Sequence, residues 1–162
     1  ALINKATIVP LADYILSKNV FPSLKLKETY LVAPDAGAQK KVKAMATALG
    51  CKGYITASKE RDLETMEVTA TRFDGDVSGK KLLVVDDICD GGRTFIALAK
   101  ALRANDPKEL HLWVTHGIFS YGTEVVTEHF DSVGTTNSFQ YDALEHVDGS
   151  GNIDPKMTWV RI

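Results

Sequence analysis

Cysteine is scarce in this chain: Cys51 and Cys89 are the two cysteines in 162 residues. They share no metal-binding spacing and are too few for a disulfide framework. A reducing, cytoplasmic setting is therefore expected, with each thiol serving as a small buried apolar group. Positive charge is not in excess either. Nineteen Lys and Arg stand against 21 Asp and Glu, for a net charge of −2. With no basic block, the cationic face of a nucleic-acid binder is excluded, and nucleic acid is not an expected partner. No apolar run reaches membrane-spanning length, so no membrane association is expected. The opening stretch "ALINKATIVPLADYIL" carries Lys5 and Asp13 and does not read as a signal peptide. Internal repeats and low-complexity segments are missing. Familiar phosphate-binding motifs are missing too. No G-x-G-x-x-G follows a strand. "DGDVSGKK" has Asp74 where a P-loop needs its first glycine and Lys81 where it needs Ser or Thr, and it precedes its strand.

What is present describes a globular protein. Hydrophobic residues make up 44% and charged residues 25%, enough for one domain, expected over 1–162, with a real core. Apolar spacing predicts a helix over 7–19, a strand near 29–33, a helix over 36–49 stopped by Gly50 and a strand over 52–57. A strand or hairpin arm over 66–73 follows. Then come a strongly apolar strand at 81–86, a helix over 92–104, a strand at 109–115, a helix at 121–130 and a short strand at 131–136. "MTWVRI" reads as a last edge strand. Segment 140–156 matches no motif and is expected to form a loop or an oligomer contact. Strands and helices alternate, and the central strands are apolar throughout. The fold class is therefore α/β, a parallel sheet with helices on both faces. Ligands of such sheets lie beyond the carboxyl ends of the strands. That edge should collect Asp35, Ser58, residues 86–94, residues 115–120 and residues 136–138.

The stretch "LLVVDDICDGGRT" raises a chemical question. Asp86 and Asp87 stand together at the end of a buried strand, although like charges repel. Two carboxylates can accept hydrogen bonds from vicinal hydroxyls, as on a ribose. Gly91 and Gly92 permit a tight turn that brings backbone amides near a ligand. The next helix offers free N–H groups and the positive end of its dipole, which suit phosphate. Acids for a sugar and a glycine turn for a phosphate describe a site for a phosphorylated ribose. The plainer alternative is an acidic loop that only caps the helix. Residues 60–66 are polar and lack apolar periodicity, so they are expected to be mobile without ligand.

The same stretch resembles the phosphoribosyl-pyrophosphate (PRPP) signature of type I phosphoribosyltransferases. Further segments narrow the resemblance. "LVAPDAGAQKKVKAMATALG", "SKERD", "GDVSGKKLLVVDDICDGGRT", "VTHGIFS" and "TTNS" are similar, in order and spacing, to the C-terminal half of the ribose-phosphate pyrophosphokinases. The match runs from about Tyr30 to Ser138. It implies a type I phosphoribosyltransferase-like fold and an activity that converts ATP and ribose 5-phosphate into AMP and PRPP in nucleotide biosynthesis. It also implies a Mg²⁺ cofactor and a homo-oligomer. A phosphoribosyltransferase that consumes PRPP, or a non-catalytic regulatory module of similar build, are the alternatives.

Residue by residue, the resemblance implies that Asp86 and Asp87 face the ribose hydroxyls, directly or through Mg²⁺. It has Asp90, Gly91, Gly92, Arg93 and Thr94 wrap the 5-phosphate. Asp35 would help hold the Mg²⁺ of Mg-ATP; on its own residue chemistry it is equally an N-cap for the helix that follows. Lys59 and Arg61 would be catalytic, clamping phosphate oxygens as charge develops on them. Three positions depart from the family pattern: Gly91 stands where Thr or Ser is usual, Arg93 where Gly or Ala is usual, and Glu60 where a basic residue is usual. The resemblance further implies that the adenine pocket for ATP belongs to an N-terminal half, so the isolated chain is expected to be slow or inactive. His116 is assigned no chemistry, and Trp113 is expected in the core.

Overall fold

A computed structural model describes residues 24–61, 68–139 and 154–161, together with Leu16 and Phe21. The expected helix over 7–19 and nearly all of segment 140–156 lie outside the described residues. The strands are β1 (Thr29–Ala33), β2 (Gly53–Arg61), β3 (Val68–Phe73), β4 (Lys81–Cys89), β5 (Glu109–Gly117), β6 (Ser132–Thr136) and β7 (Met157–Val160). The helices are α1 (Gln39–Ala48), α2 (Arg93–Arg103) and the short α3 (Glu124–Thr127). The seven described strands form one sheet in the order β3-β2-β1-β4-β5-β6-β7. Every pairing is parallel except β2 with β3, which is an antiparallel hairpin.

Alternation along the central strands explains the two-sided core. Leu82 and Val84 of β4 and Leu110, Leu112 and Val114 of β5 point to one face. There they meet Phe95, Leu98, Ala99 and Leu102 of α2, spaced for one helical stripe, and Val126 of α3. Leu83, Val85 and Trp113 point to the other face, where Val42, Met45 and Ala46 of α1 cover them along with Leu16, Phe21 and Leu24. Trp113 is fully buried, as its apolar neighbours predict, and meets Phe21 edge-on with centroids 6.2 Å apart. Gly134 makes room for this pair: a Cβ there would stand 2.5 Å from Phe21 and 2.8 Å from Trp113. Both cysteines are free. Burial pushes the Cys89 thiol up to about 12 and that of Cys51 up to about 11, so both behave as apolar groups. No helix among the described residues is long and apolar enough to cross a membrane.

Four expectations change. Strand β4 continues past residue 86 to Cys89, because β5 also runs on to Gly117 and pairs with it through Ile88 and His116. Strand β2 continues to Arg61, because β3 supplies a partner out to Val68. Residues 60 and 61 are thus paired within a hairpin; residues 62–67 lie outside the described residues. The helix expected over 36–49 begins at Gln39, after a turn. The helix expected over 121–130 shrinks to Glu124–Thr127. Gly122 there has φ +91°, which ends any helix before it. Past α3 the chain tightens into bonds between residues three apart, from His129 N–H to the Val126 carbonyl and from Phe130 N–H to that of Thr127.

Candidate functional site

The order of the strands reverses between β1 and β4. β1 connects outward to β2 through α1, and β4 connects the other way to β5 through α2. Such a switch point leaves a crevice at the carboxyl edge, because the two connections peel away from each other. Asp35 follows β1 and Asp86 lies in β4. Val32 is level with Val84, so both carboxylates arrive at this crevice.

Asp86 and Asp87 do not share one environment. Asp87 is exposed and forms an ion pair with Lys41 of α1. Its backbone N–H donates to Asp86 Oδ1 at 2.8 Å. Asp86 is half-buried, and its carboxyl is pushed above the ordinary 3.8. Burial is the main cause, and the nearby Asp87 and Asp35 add to it. The Asp87 N–H and Lys41 oppose it without prevailing. A group in this state gains from a cation or from hydroxyl donors. Asp35 is engaged locally, where its Oδ1 accepts from Ala38 N–H at 3.0 Å and so braces the turn that opens α1.

The glycine turn follows at once. Gly92 precedes α2 with φ +73°, a left-handed conformation open to glycine at little cost. It is also boxed in: a Cβ would stand 2.6 Å from Val126 Cγ2. Ile96 N–H is the first in this helix to bond back, to the Gly92 carbonyl at 2.9 Å. No side chain caps the start of α2. The amides of Arg93, Thr94 and Phe95 therefore precede the first helical bond. They open on a cleft of about 330 Å³ lined by Ile88, Asp90, Gly91, Gly92, Arg93, Thr94, Phe95 and Tyr121. All five residues expected to wrap a phosphate line this one cleft. Asp90 is held in place by a hydrogen bond from the Ser120 hydroxyl.

Lys59 and Arg61 sit elsewhere. Thr56 pairs with Ala33 near the sheet edge, and Lys59 lies three residues farther along β2. At a strand rise of about 3.3 Å per residue it projects roughly 10 Å past that pairing. The β2–β3 hairpin thus overhangs the crevice and does not line the glycine cleft. Glu60, between the two basic residues, forms an ion pair with Arg72 of β3. Sequence reasoning missed Lys41 and Arg72, because a lone charge on a helix or strand looks like a solvated face.

Residues from β5 and β6 complete the edge. Thr136 Oγ1 donates to the Thr115 carbonyl at 2.6 Å, and Ser138 Oγ lies 2.6 Å from His116 Nδ1. Among the described residues no three His, Cys, Asp or Glu side chains form a metal cage. Magnesium needs no cage: one or two carboxylates, with phosphate oxygens and water, are its ordinary ligands. The half-buried Asp86, with Asp35 and Asp87 nearby, fits that donor set.

Comparison with known proteins bears on this geometry. A family model described as "Phosphoribosyl transferase domain" matches residues 12–142. The ribose-phosphate pyrophosphokinase of Pyrococcus abyssi is 36% identical over 132 residues, covering 76% of this chain and 46% of that protein. That of Rhizobium meliloti is 35% identical over 108 residues, covering 67% of this chain and 34% of that protein. The chain thus spans less than half the length of these curated relatives. Among solved structures, the phosphoribosylpyrophosphate synthetase of Mycobacterium smegmatis superposes with a TM-score of 0.71 at 22% identity, over 93% of this chain and 46% of the other. The adenine phosphoribosyltransferase (APRTase) of Giardia lamblia superposes at 0.57 and 16% identity, over 76% of this chain and 77% of the other. Such distant structural likeness speaks for the sheet and its order, and the family model covers most of the sequence: the chain belongs to the phosphoribosyl transferase domain family.

Proposed function

We propose that this chain is the ribose 5-phosphate-binding part of a ribose-phosphate pyrophosphokinase, cytoplasmic and homo-oligomeric, that turns ATP and ribose 5-phosphate into AMP and PRPP. One observation carries the reading. An uncapped helix start behind a glycine turn opens on a cleft, and two carboxylates of different character lie directly before it. The turn suits a 5-phosphate, with the amides of residues 93–95, the Thr94 hydroxyl and the Arg93 cation as donors. Asp86 and Asp87 accept from the ribose hydroxyls. The ribose 1-hydroxyl is then free to attack the β-phosphorus of ATP. A new P–O bond forms there, the bond to the α,β-bridging oxygen breaks, AMP leaves with that oxygen, and the hydroxyl proton passes to solvent. Lys59 and Arg61, on the overhanging hairpin, stabilise charge on the transferred phosphates. Asp86 and Asp87, with Asp35, are the residues that would hold Mg²⁺, which would screen phosphate charge.

Calorimetry with ribose 5-phosphate and an AMP-release assay test this together. The lone chain should bind ribose 5-phosphate and release AMP slowly. Joining it to the N-terminal half of the Pyrococcus abyssi relative should raise AMP release, with strict dependence on ribose 5-phosphate. AMP release independent of the sugar would overturn the reading. Release of pyrophosphate from PRPP on adding a purine or pyrimidine base would favour a phosphoribosyltransferase instead. Binding of ribose 5-phosphate with no AMP release from the joined protein would favour a regulatory module.

A further inference from the structure

We infer that Tyr121 is a phosphate-binding residue of the glycine cleft, its hydroxyl donating to the anion that the turn holds. The inference rests on the proposed ribose 5-phosphate site. Of the turn's five residues, only Arg93 and Thr94 offer side-chain donors. Gly91 and Gly92 have none, Asp90 is an acceptor, and its carboxylate already engages the Ser120 hydroxyl. Thr94 is the turn's one hydroxyl.

Tyr121 stands over the gap. It lines the cleft beside Gly91. A Cβ built on Gly91 would lie 2.9 Å from the Tyr121 ring atom Cε2 and 3.2 Å from Cδ2. The ring edge therefore takes the place of a side chain at residue 91, and the phenolic oxygen, two bonds from Cε2, lies beyond it, more than 4 Å from that Cβ position. The hydroxyl has no hydrogen-bond partner among the described residues, and the residue is 64% exposed. The ring edge packs on the glycine turn, and its hydroxyl stays available to a ligand in the cleft.

The backbone around Tyr121 is fixed in advance. Ile118 N–H and Phe119 N–H both donate to the Cys89 carbonyl, at 2.8 and 3.2 Å. Ser120 ties to Asp90. Gly122 N–H closes a turn onto the Phe119 carbonyl at 2.9 Å, and Phe119 takes φ +48°, a conformation uncommon for an aromatic. Segment 118–122 is thereby stitched to the end of β4 and to the turn it faces. Little ordering remains when an anion arrives, which favours a hydrogen bond from this loop.

The test compares the parent with Tyr121→Phe and Tyr121→Ala, using inorganic phosphate and ribose 5-phosphate in calorimetry, with thermal melting as a fold check. Phe keeps the ring over Gly91 and removes only the hydroxyl. Both variants should melt with the parent and bind both ligands about tenfold more weakly, in line with a hydrogen bond to a charged group. Full affinity in Tyr121→Phe overturns the inference, whether or not Tyr121→Ala loses affinity, since a loss in Ala alone belongs to the ring. If the parent binds neither ligand, the proposed ribose 5-phosphate site fails first, and this inference fails with it.

Discussion

Asp86 and Asp87 are neighbours with opposite prospects. Asp87 is exposed and paired, so Asp87→Ala loses one solvent-screened ion pair, a cost of roughly 0–1 kcal/mol. Asp86 holds its proton more tightly in the folded protein than in the unfolded chain. Below the ordinary value of 3.8 both states are protonated and stability is undiminished. As the pH rises through 3.8 the unfolded chain gives up its proton first, and stability falls until the folded carboxyl also ionises. Asp86→Asn should remove that fall, melt no lower than the parent at neutral pH, and lose ribose 5-phosphate binding. Melting and calorimetry on the two variants check this; a poorly folded Asp86→Asn that still binds would reverse the assignment. Gly92→Ala should behave in the opposite way. Its left-handed backbone alone costs about 1–2 kcal/mol for a residue with a Cβ, and contact with Val126 adds to it. A melting point unchanged from the parent would show that the turn can relax. Such contrasts were only partly legible. That "VVDD" ends at a ligand edge follows from its apolar lead and its acids. Which acid is paired depends on Lys41, brought in from a helix 46 residues away in sequence.

Elements were legible where one apolar face decides them and illegible where a neighbour does. The stripe of α2 and the apolar run of β4 locate themselves. The last residues of β2 are polar, and the apolar run of β4 is broken by Asp86 and Asp87; both ends are strand because β3 and β5 offer bonds to them. The same borrowing sets the state of the β2–β3 hairpin. Glu60 and Arg61 lie within its ladder, across a register shift, with Arg72 paired to Glu60. Amide exchange without ligand should therefore show protection at Lys59 and Thr71 well above that of an open loop. Rates at the intrinsic coil limit for both would mean that the hairpin forms only with substrate. Tyr121 and Gly122 were hidden for another reason: the run "YGTEVVTEHF" carries helical spacing, and the positive φ of Gly122 diverts its first residues to the cleft.

For the whole molecule, one buried imidazole sets a limit on acid stability. His111 in β5 is nearly inaccessible, with Nδ1 2.7 Å from Ser132 Oγ and Nε2 3.4 Å from Glu109 Oε2. Burial holds its pKa below the ordinary 6.5; Glu109 and Asp131 pull upward, and Arg103 adds to the lowering. The unfolded chain thus takes a proton that the folded protein refuses. The corresponding stability is complete above 6.5 and is lost as the pH falls through 6.5 toward the lowered folded value. Chemical denaturation across that window should show the decline, and His111→Gln should flatten it. An identical decline in the variant would assign it to other groups.

The strand order has a consequence for how the protein is made. Synthesis delivers β1, β2 and β3 before β4, and these three neighbours can zip together while the far edge of β1 stays bare. β4 comes later and closes onto that edge, and with it Asp86 first meets Asp35. A nascent chain therefore passes through a stage in which an apolar strand, Leu31 and Val32 included, is an open template for misassembly. Sugar phosphate cannot shorten that stage, since its site does not exist until the β1–β4 seam has closed. Ligand should instead act on the finished protein, slowing its opening and leaving its rate of formation unchanged.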